Sequence, residues 1–346
     1  MSNVPLAVGL TLIAGILNGS FAVPVKYAKI WKWENIWSVW GIVGMLLFPW
    51  FMVYLTVPDV VGFYQHIGLR TLLLPIGFGV GFGLAQIFFG LGIAALGIAL
   101  NFAIAIGLST VLGSLVPLVA LQPQLIFTSK GMVILSGVVL VLVGIVFCAV
   151  AGRLKEKGAQ TLSQDLQGGT EKEQVSFKVG LIICILAGVG SPLINFGLAF
   201  GTPLISHAAE VAVRPGSQAN VIWAPLLTAS LAPYLIYCAF LWEKNNSGPR
   251  FFHRGTAINW AFGAIMGVFW FGSTLLYGAA AAGMGALGPI LGWPLFMSSI
   301  IITSNVWGFA TGEWKTAGGK ARTTMVGGIL FLILGFVTLA ISGRLV

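Results

Sequence analysis

Charge is scarce in this chain: Asp, Glu, Lys and Arg together make up 8% of its 346 residues, against 58% hydrophobic. That excludes an ordinary soluble domain. The acids are Glu34, Asp59, Glu156, Asp165, Glu171, Glu173, Glu210, Glu243 and Glu313, and each falls in a loop or at the end of an apolar run. A carboxylate buried at mid-membrane, the usual mark of proton or cation coupling, is missing. Cys148, Cys184 and Cys238 lie inside apolar segments without metal-ligand or redox spacing, which points to packing. His66, His207 and His253 sit in or near loops and build no hydrolase triad, metal site or phosphate loop. No enzyme activity, metal or cofactor is therefore expected.

What the chain has is apolar length. Residues 77–117, GFGVGFGLAQIFFGLGIAALGIALNFAIAIGLSTVLGSLVP, form two helix-length segments hinged near Gly92 to Gly97, with no charge. Runs of this length are membrane spans. Lipid gives helices no hydrophobic reason to associate, so the small residues Gly77, Gly79, Gly81 and Gly83 suggest close backbone packing inside a bundle. At about 20 residues per span the chain has room for roughly ten. They are expected at about 6–24, 37–57, 71–92, 97–119, 131–151, 177–200, 220–241, 257–281, 286–309 and 323–343. The N-terminal run carries no basic leader and is taken as a retained first helix.

The polar stretch 153–176 separates two parts of similar length, 1–152 and 177–346, and is read as a cytoplasmic linker. The net charge of +9 does not call for nucleic acid, because the cations lie between spans, where they orient the chain and meet anionic lipid. Lys26, Lys29, Lys32, the linker cations and Lys178, Lys244, Arg250, Arg254, Lys315, Lys320 and Arg322 share one set of alternate loops. Arg70, Lys130, Arg214 and Arg344 are alone in the other. The positive-inside rule makes the crowded set cytoplasmic and both termini external.

The two parts also look alike. LVGIVFCAVAGRL (142–154) matches ILGFVTLAISGRL (333–345) at an offset of 191 that pairs Gly144 with Gly335. A weaker match relates 88–97 to 276–285. Five spans per part is odd, so the second part must enter the membrane from the opposite side. The expected fold is thus an all-α integral membrane protein of ten helices, arranged as two five-helix inverted-topology repeats around a central site that opens alternately to either face.

Within the spans, the polar groups are amides and hydroxyls beside aromatic rings. The candidates for contact with a solute are Asn18, Gln86, Asn101, Ser109, Asn195, Trp270, Tyr277, Trp293 and Asn305. Ser191 and Asn195 share a helix face, as do Trp270, Thr274 and Tyr277. Amides hydrogen-bond hydroxyls in both directions and rings pack on sugar C–H faces, so this set suits a neutral polyhydroxylated solute. For any single residue the plainer reading is interhelical hydrogen bonding. Trp31, Trp33, Trp37 and Trp242 are read as interfacial anchors. Pro24, Pro117, Pro192, Pro289 and Pro294 mark breaks that free backbone groups or simply kink. Glu34, at the start of the second span, is a helix-terminus carboxylate or a proton carrier, and His207 is an ordinary loop histidine or a titrating group. Asn245-Asn246-Ser247 fits a glycosylation sequon but is set aside because its loop is expected to be cytoplasmic.

Three stretches together resemble the L-rhamnose/proton symporter family of the ten-helix drug/metabolite transporter superfamily: VPVKYAKIWKWENIWSVWGIVGMLLFPW (23–50), FGLGIAALGIALNFAIAIGLSTVLGSLVPL (89–118) and TGEWKTAGGKARTT (311–324). The resemblance implies an inverted-repeat bundle and uptake of L-rhamnose or a similar deoxy sugar with protons across the bacterial inner membrane. It places Glu34, Gln86, Ser109, His207 and Glu313 in family-like positions or segments. Where it implies an acid in the ninth span, this chain reads GALGPILGWPLFMSS with none, so proton coupling, if present, falls to Glu34, to His207 or to a group that the sequence does not single out. An uncoupled or exporting transporter of another small metabolite is the alternative.

Overall fold

The computed structural model describes residues 4–164, 176–315 and 317–343, the side chains of 158–164 excepted. Among them the regular structure is entirely helical: α1 (Val4–Ser20), α2 (Trp33–Ile42), α3 (Phe48–Thr56), α4 (Val60–Leu96), α5 (Ile98–Leu121), α6 (Ser129–Gln164), α7 (Phe177–Gly190), α8 (Leu193–Phe200), α9 (Thr202–Glu210), α10 (Asn220–Lys244), α11 (Ala257–Met284), α12 (Gly288–Ala310) and α13 (Gly319–Ser342). Nine stretches of the described residues are long and apolar enough to cross a membrane. One of these, Ala257–Ala310, is 54 residues long. It folds back at Gly285, whose φ of 64° suits glycine. A methyl built on Gly288 would fall 2.3 Å from the Ala281 carbonyl oxygen, and one on Gly292 would fall 3.1 Å from the Tyr277 ring. Those approaches make α11 and the start of α12 antiparallel neighbours.

Several boundaries differ from the sequence expectation. Pro117 does not break the chain, since α5 carries that proline inside and ends at Leu121, close to the expected 119. α6 continues through Gln164, so the first part of the expected linker is helical, while 165–175 lies outside the described residues. α4 is broken at Gly68 (φ 74°, ψ 159°). A separate helix, α9, occupies what was read as loop. Ser191 and Pro192 interrupt the sixth expected span between α7 and α8, at the expected proline. A π-helical turn, Val43–Leu47, joins α2 to α3.

The chain divides into two compact units, Met1–Leu84 with Leu193–Gly292, and Ala85–Pro192 with Trp293–Val346. In the first, α4 packs on α10 through glycine. Methyl groups on Gly79 and Gly83 would fall 2.1 Å from the Leu226 carbonyl oxygen and 2.2 Å from that of Ser230. Gly81 meets Leu193 in the same way, whereas Gly77 has nothing within 4 Å. The close packing expected of this glycine series therefore holds for three of its four members. Its basic loops are also tied together: Asn259 Nδ2 donates to the Lys29 carbonyl (2.7 Å), Arg250 to that of Ile30 (2.6 Å), and Lys32 Nζ to that of Asn245 (3.1 Å).

In the second unit, α6 and α13 form an antiparallel pair whose glycines face large side chains. Gly137 lies under Leu339, Gly144 under Leu332, Gly328 under Cys148 and Gly335 under Val141, with every hypothetical methyl 2.6–2.7 Å from a side-chain atom. At one end of this unit, Glu156 accepts from the Ala99 backbone N–H (3.3 Å), and Lys155 lies 3.5 Å from Glu313 and 5.0 Å from the centre of the Trp314 ring.

Candidate functional site

Hydroxyls in these helices are mostly satisfied by their own backbone. Thr11, Ser38, Thr110, Ser191, Ser230, Thr274 and Ser299 each donate to the carbonyl four residues earlier. Amides do the work between helices, as expected where an unpaired polar group meets no water. Asn18 Nδ2 donates to Ser273 Oγ (2.8 Å), and Ser273 Oγ donates to the Trp270 carbonyl (2.5 Å). Asn195, fully buried, donates to the Pro289 carbonyl (3.1 Å) and accepts from Tyr277 Oη. These contacts bring together four of the candidate residues of the first unit in two clusters, Asn18 with Trp270 and Asn195 with Tyr277.

The first cluster opens onto a group of rings. Trp40 lies 5.0 Å from Trp270, 4.9 Å from Trp37, 6.0 Å from Phe21 and 5.8 Å from Tyr234, centre to centre. Phe82 stacks on Trp270 at 6.4 Å and 18°. Trp40 is only 2% exposed, yet its Nε1–H has no hydrogen-bond partner among the described residues. Leaving a buried donor unmade costs about 1–3 kcal/mol, and Tyr234 Oη in the same ring group and Trp223 Nε1 are likewise buried without a partner among the described residues. Trp40 is seven residues into the Trp33–Thr56 span, about 10 Å along a helix rising 1.5 Å per residue. Three residues further on begins the π-helical turn, where Gly44 lies against Gly267 and the Trp270 ring. π-helical insertions of this kind are frequent at functional sites. A buried N–H within a wall of aromatic faces suits a solute that has both hydroxyls and an apolar face, if the wall opens to admit it.

In the second unit, Trp293 Nε1 donates to the Ser109 carbonyl (2.9 Å), and its ring fills the space that a methyl on Gly113 would need. Asn101 donates to the Phe89 carbonyl (3.2 Å), while its buried Oδ1 has no partner among the described residues and lies where a methyl on Gly92 would be. Gln86 is half-buried, with no side-chain hydrogen bond among the described residues. Asn305 stays apart from these groups, bonding the Ile301 carbonyl of its own helix (2.9 Å).

Glu34 is 2% exposed, and its Oε1 accepts from Ser247 Oγ (2.5 Å) and Asn245 Nδ2 (3.1 Å). Its backbone carbonyl accepts from Trp242 Nε1 (3.3 Å). The segment set aside as a sequon thus supplies the partners of this carboxylate, and Trp242 holds the same turn. Trp31, expected as an interfacial anchor, is instead buried against Phe251 and Trp260, because Nε1 finds the Arg250 carbonyl. His207 lies on α9, 3.0 Å from Glu210 and stacked on His66 at 4.6 Å. Trp40 and the Glu34 partners are the candidate residues that sequence reasoning missed. The W-x-W-E run pointed to the segment without singling out Trp40.

Comparison with known proteins adds a family. The family model described as L-rhamnose-proton symport protein matches residues 1–343. Relatives include proteins named L-rhamnose-proton symporter from Cronobacter sakazakii, 29% identical over 342 residues and covering 96% of each chain. Another, from Mannheimia succiniciproducens, is 28% identical over 321 residues, 91% of each chain. A third, from Salmonella paratyphi B, is 28% identical across 100% of this chain and 98% of its own.

Proposed function

The chain belongs to the L-rhamnose-proton symport protein family, and from that premise we propose that it is a secondary transporter taking up L-rhamnose together with protons by alternating access. The observation that carries this reading is the match of the family over residues 1–343. The candidate site agrees with it chemically. A 6-deoxy sugar has hydroxyls, a methyl group and a C–H face, and the unpaired Trp40 N–H among Phe21, Trp37, Phe82 and Trp270 offers a donor inside an aromatic wall.

The substrate-contacting set in this proposal is Asn18, Gln86, Asn101, Ser109, Asn195, Trp270, Tyr277, Trp293 and Asn305, now joined by Trp40. Of these, Gln86 and Asn101 Oδ1 offer uncommitted amide groups. Asn18, Asn195 and Tyr277 have protein partners that a sugar must replace or share. Glu34 is the proposed proton carrier and His207 its alternate. Glu34 is the better placed because its carboxylate is buried and holds two side-chain donors that protonation would weaken.

The proposed architecture is ten spans in two inverted repeats, 1–152 and 177–346, joined by a cytoplasmic linker in the bacterial inner membrane with both termini external. The fold-back at Gly285, which divides the 54-residue stretch into two helices, favours ten. Glycine recurs 191 positions apart at the α6–α13 contact, Gly137 with Gly328 and Gly144 with Gly335, which supports the inverted repeat.

Counterflow of labelled L-rhamnose into proteoliposomes preloaded with unlabelled sugar tests the sugar assignment without any ion gradient. Selective exchange of L-rhamnose over other monosaccharides is expected. Folded protein that exchanges no sugar would overturn the assignment.

A further inference from the structure

A cavity of about 290 Å³ in the first unit is lined by Arg70, Thr71, Leu74, Phe200, Pro203 and Leu204, and none of these is needed for the sugar reading. The break at Gly68 ends one helical segment and starts another, so Arg70 and Thr71 stand in the first turn after it. Arg70 is exposed and makes no hydrogen bond or ion pair among the described residues. The acids on neighbouring segments are committed elsewhere: Asp59 Oδ1 accepts from the Gly62 N–H (2.9 Å), and Glu210 faces His207 (3.0 Å). By contrast, Arg250 and Arg322 spend their guanidinium groups on backbone carbonyls. Thr71, unlike most hydroxyls of these helices, has no bond to its own backbone.

Below the guanidinium the surroundings are apolar. Leu73 and Leu74 follow Arg70 by three and four positions, on its face of the helix, and are 57% and 44% exposed, with Leu69 at 70%. Phe200, Pro203 and Leu204 supply the opposite wall. A cation above a strip of exposed leucine at the end of an apolar helix complements an amphiphile with an anionic head and hydrocarbon tail. Arg70 is also one of the few cations in the sparsely basic set of loops, where a general attraction for anionic membrane is weakest and a local site stands out.

We propose that this groove binds one anionic phospholipid, with the phosphodiester on Arg70 and Thr71 and an acyl chain along Leu73, Leu74 and Phe200. The test is native mass spectrometry of delipidated full-length protein in detergent, titrated with phosphatidylglycerol or phosphatidylethanolamine. The tightest phosphatidylglycerol adduct should weaken about fivefold in Arg70→Gln, the factor that one surface arginine is worth against anionic lipid. It should be kept largely in Arg70→Lys and be unchanged in Arg214→Gln, an exposed arginine outside the groove. Thermal midpoints of the variants serve as the fold check. The proposal is overturned if Arg70→Gln binds phosphatidylglycerol like the native protein, or if Arg214→Gln loses as much. It is equally overturned if phosphatidylethanolamine binds as tightly, or if sodium phosphate alone displaces the adduct.

Discussion

Gly144 lies so close beneath Leu332 that a methyl on the glycine would fall 2.7 Å from the leucine Cγ and 2.9 Å from its backbone nitrogen. The sequence offset of 191 carries Gly144 to Gly335 and Leu332 back to Val141. Gly335 in turn lies beneath Val141, again with a methyl 2.7 Å from the side chain and 2.9 Å from the backbone nitrogen. The same exchange turns the Gly137–Leu339 contact into the Gly328–Cys148 contact. The α6–α13 crossing is therefore antiparallel, with a local two-fold axis that exchanges the two helices. Any antiparallel pair has such an axis; what the offset of 191 adds is that glycine stands at both related positions, Gly137 with Gly328 and Gly144 with Gly335, each against a side chain of the other helix.

Gly144→Ala and Gly335→Ala should each destabilise the protein by about 1–3 kcal/mol, because the added methyl meets backbone as well as side chain. The matching contact distances predict nearly equal losses, read as lowered thermal midpoints in detergent. Gly77→Ala, where nothing lies within 4 Å, should cost nothing. A loss at Gly77 as large as at Gly144 would show that helix flexibility, not contact, is being measured.

Trp40→Phe keeps the ring and deletes the buried N–H that lacks a partner. If that donor serves L-rhamnose, counterflow affinity falls roughly three- to tenfold, the worth of one neutral hydrogen bond. The thermal midpoint of the sugar-free protein should hold or rise, since an unmet polar group has been removed from the interior. Lower stability with unchanged affinity would make Trp40 a packing residue only.

How much of this was legible beforehand depended on whether an interaction was local in sequence. Apolar length located the helices, and glycine spacing indicated the α4 packing that Gly79 and Gly83 realise on α10. The amides were found because a polar group in a long apolar run is conspicuous. Trp40 escaped because an indole in a tryptophan-rich segment reads as an anchor, and only the packed structure reveals that its N–H has nowhere to go. Glu34 was noticed, but its partners Asn245 and Ser247 lie 211 and 213 positions away, and no local pattern joins them. The helix α9 was missed for a related reason, since its nine residues include a proline and a short polar run that look like loop.

Tyr277 and Asn195 separate a structural bond from a ligand contact. Tyr277→Phe removes the donor to Asn195 Oδ1, and Asn195→Ala removes both that acceptor and the bond to the Pro289 carbonyl. If the pair only holds α8 against α11 and the start of α12, stability falls by about 1–3 kcal/mol for the single variants. The double variant is then less than additive by about 0.5–3 kcal/mol in a thermodynamic cycle. If both groups turn to the sugar, Tyr277→Phe instead weakens counterflow affinity with little change in midpoint.

Glu34→Gln discriminates between carrying a proton and bracing a loop. Glutamine retains an Oε1 that can accept from Ser247 and Asn245, so the 245–247 turn stays attached to α2 and the fold should survive. The amide has no proton to exchange. Sugar counterflow should therefore continue, while accumulation of L-rhamnose driven by an acidic outside medium disappears along with its pH dependence. Glu34→Ala is the structural contrast, because it leaves two polar side chains without their acceptor and should cost about 1–3 kcal/mol of stability for a buried donor so abandoned. Uptake by Glu34→Gln that still follows the proton gradient would remove Glu34 from the coupling step. His207 would then be the next residue to replace, since its ring already contacts Glu210 and stacks on His66, and a proton gained there changes the charge of that whole group.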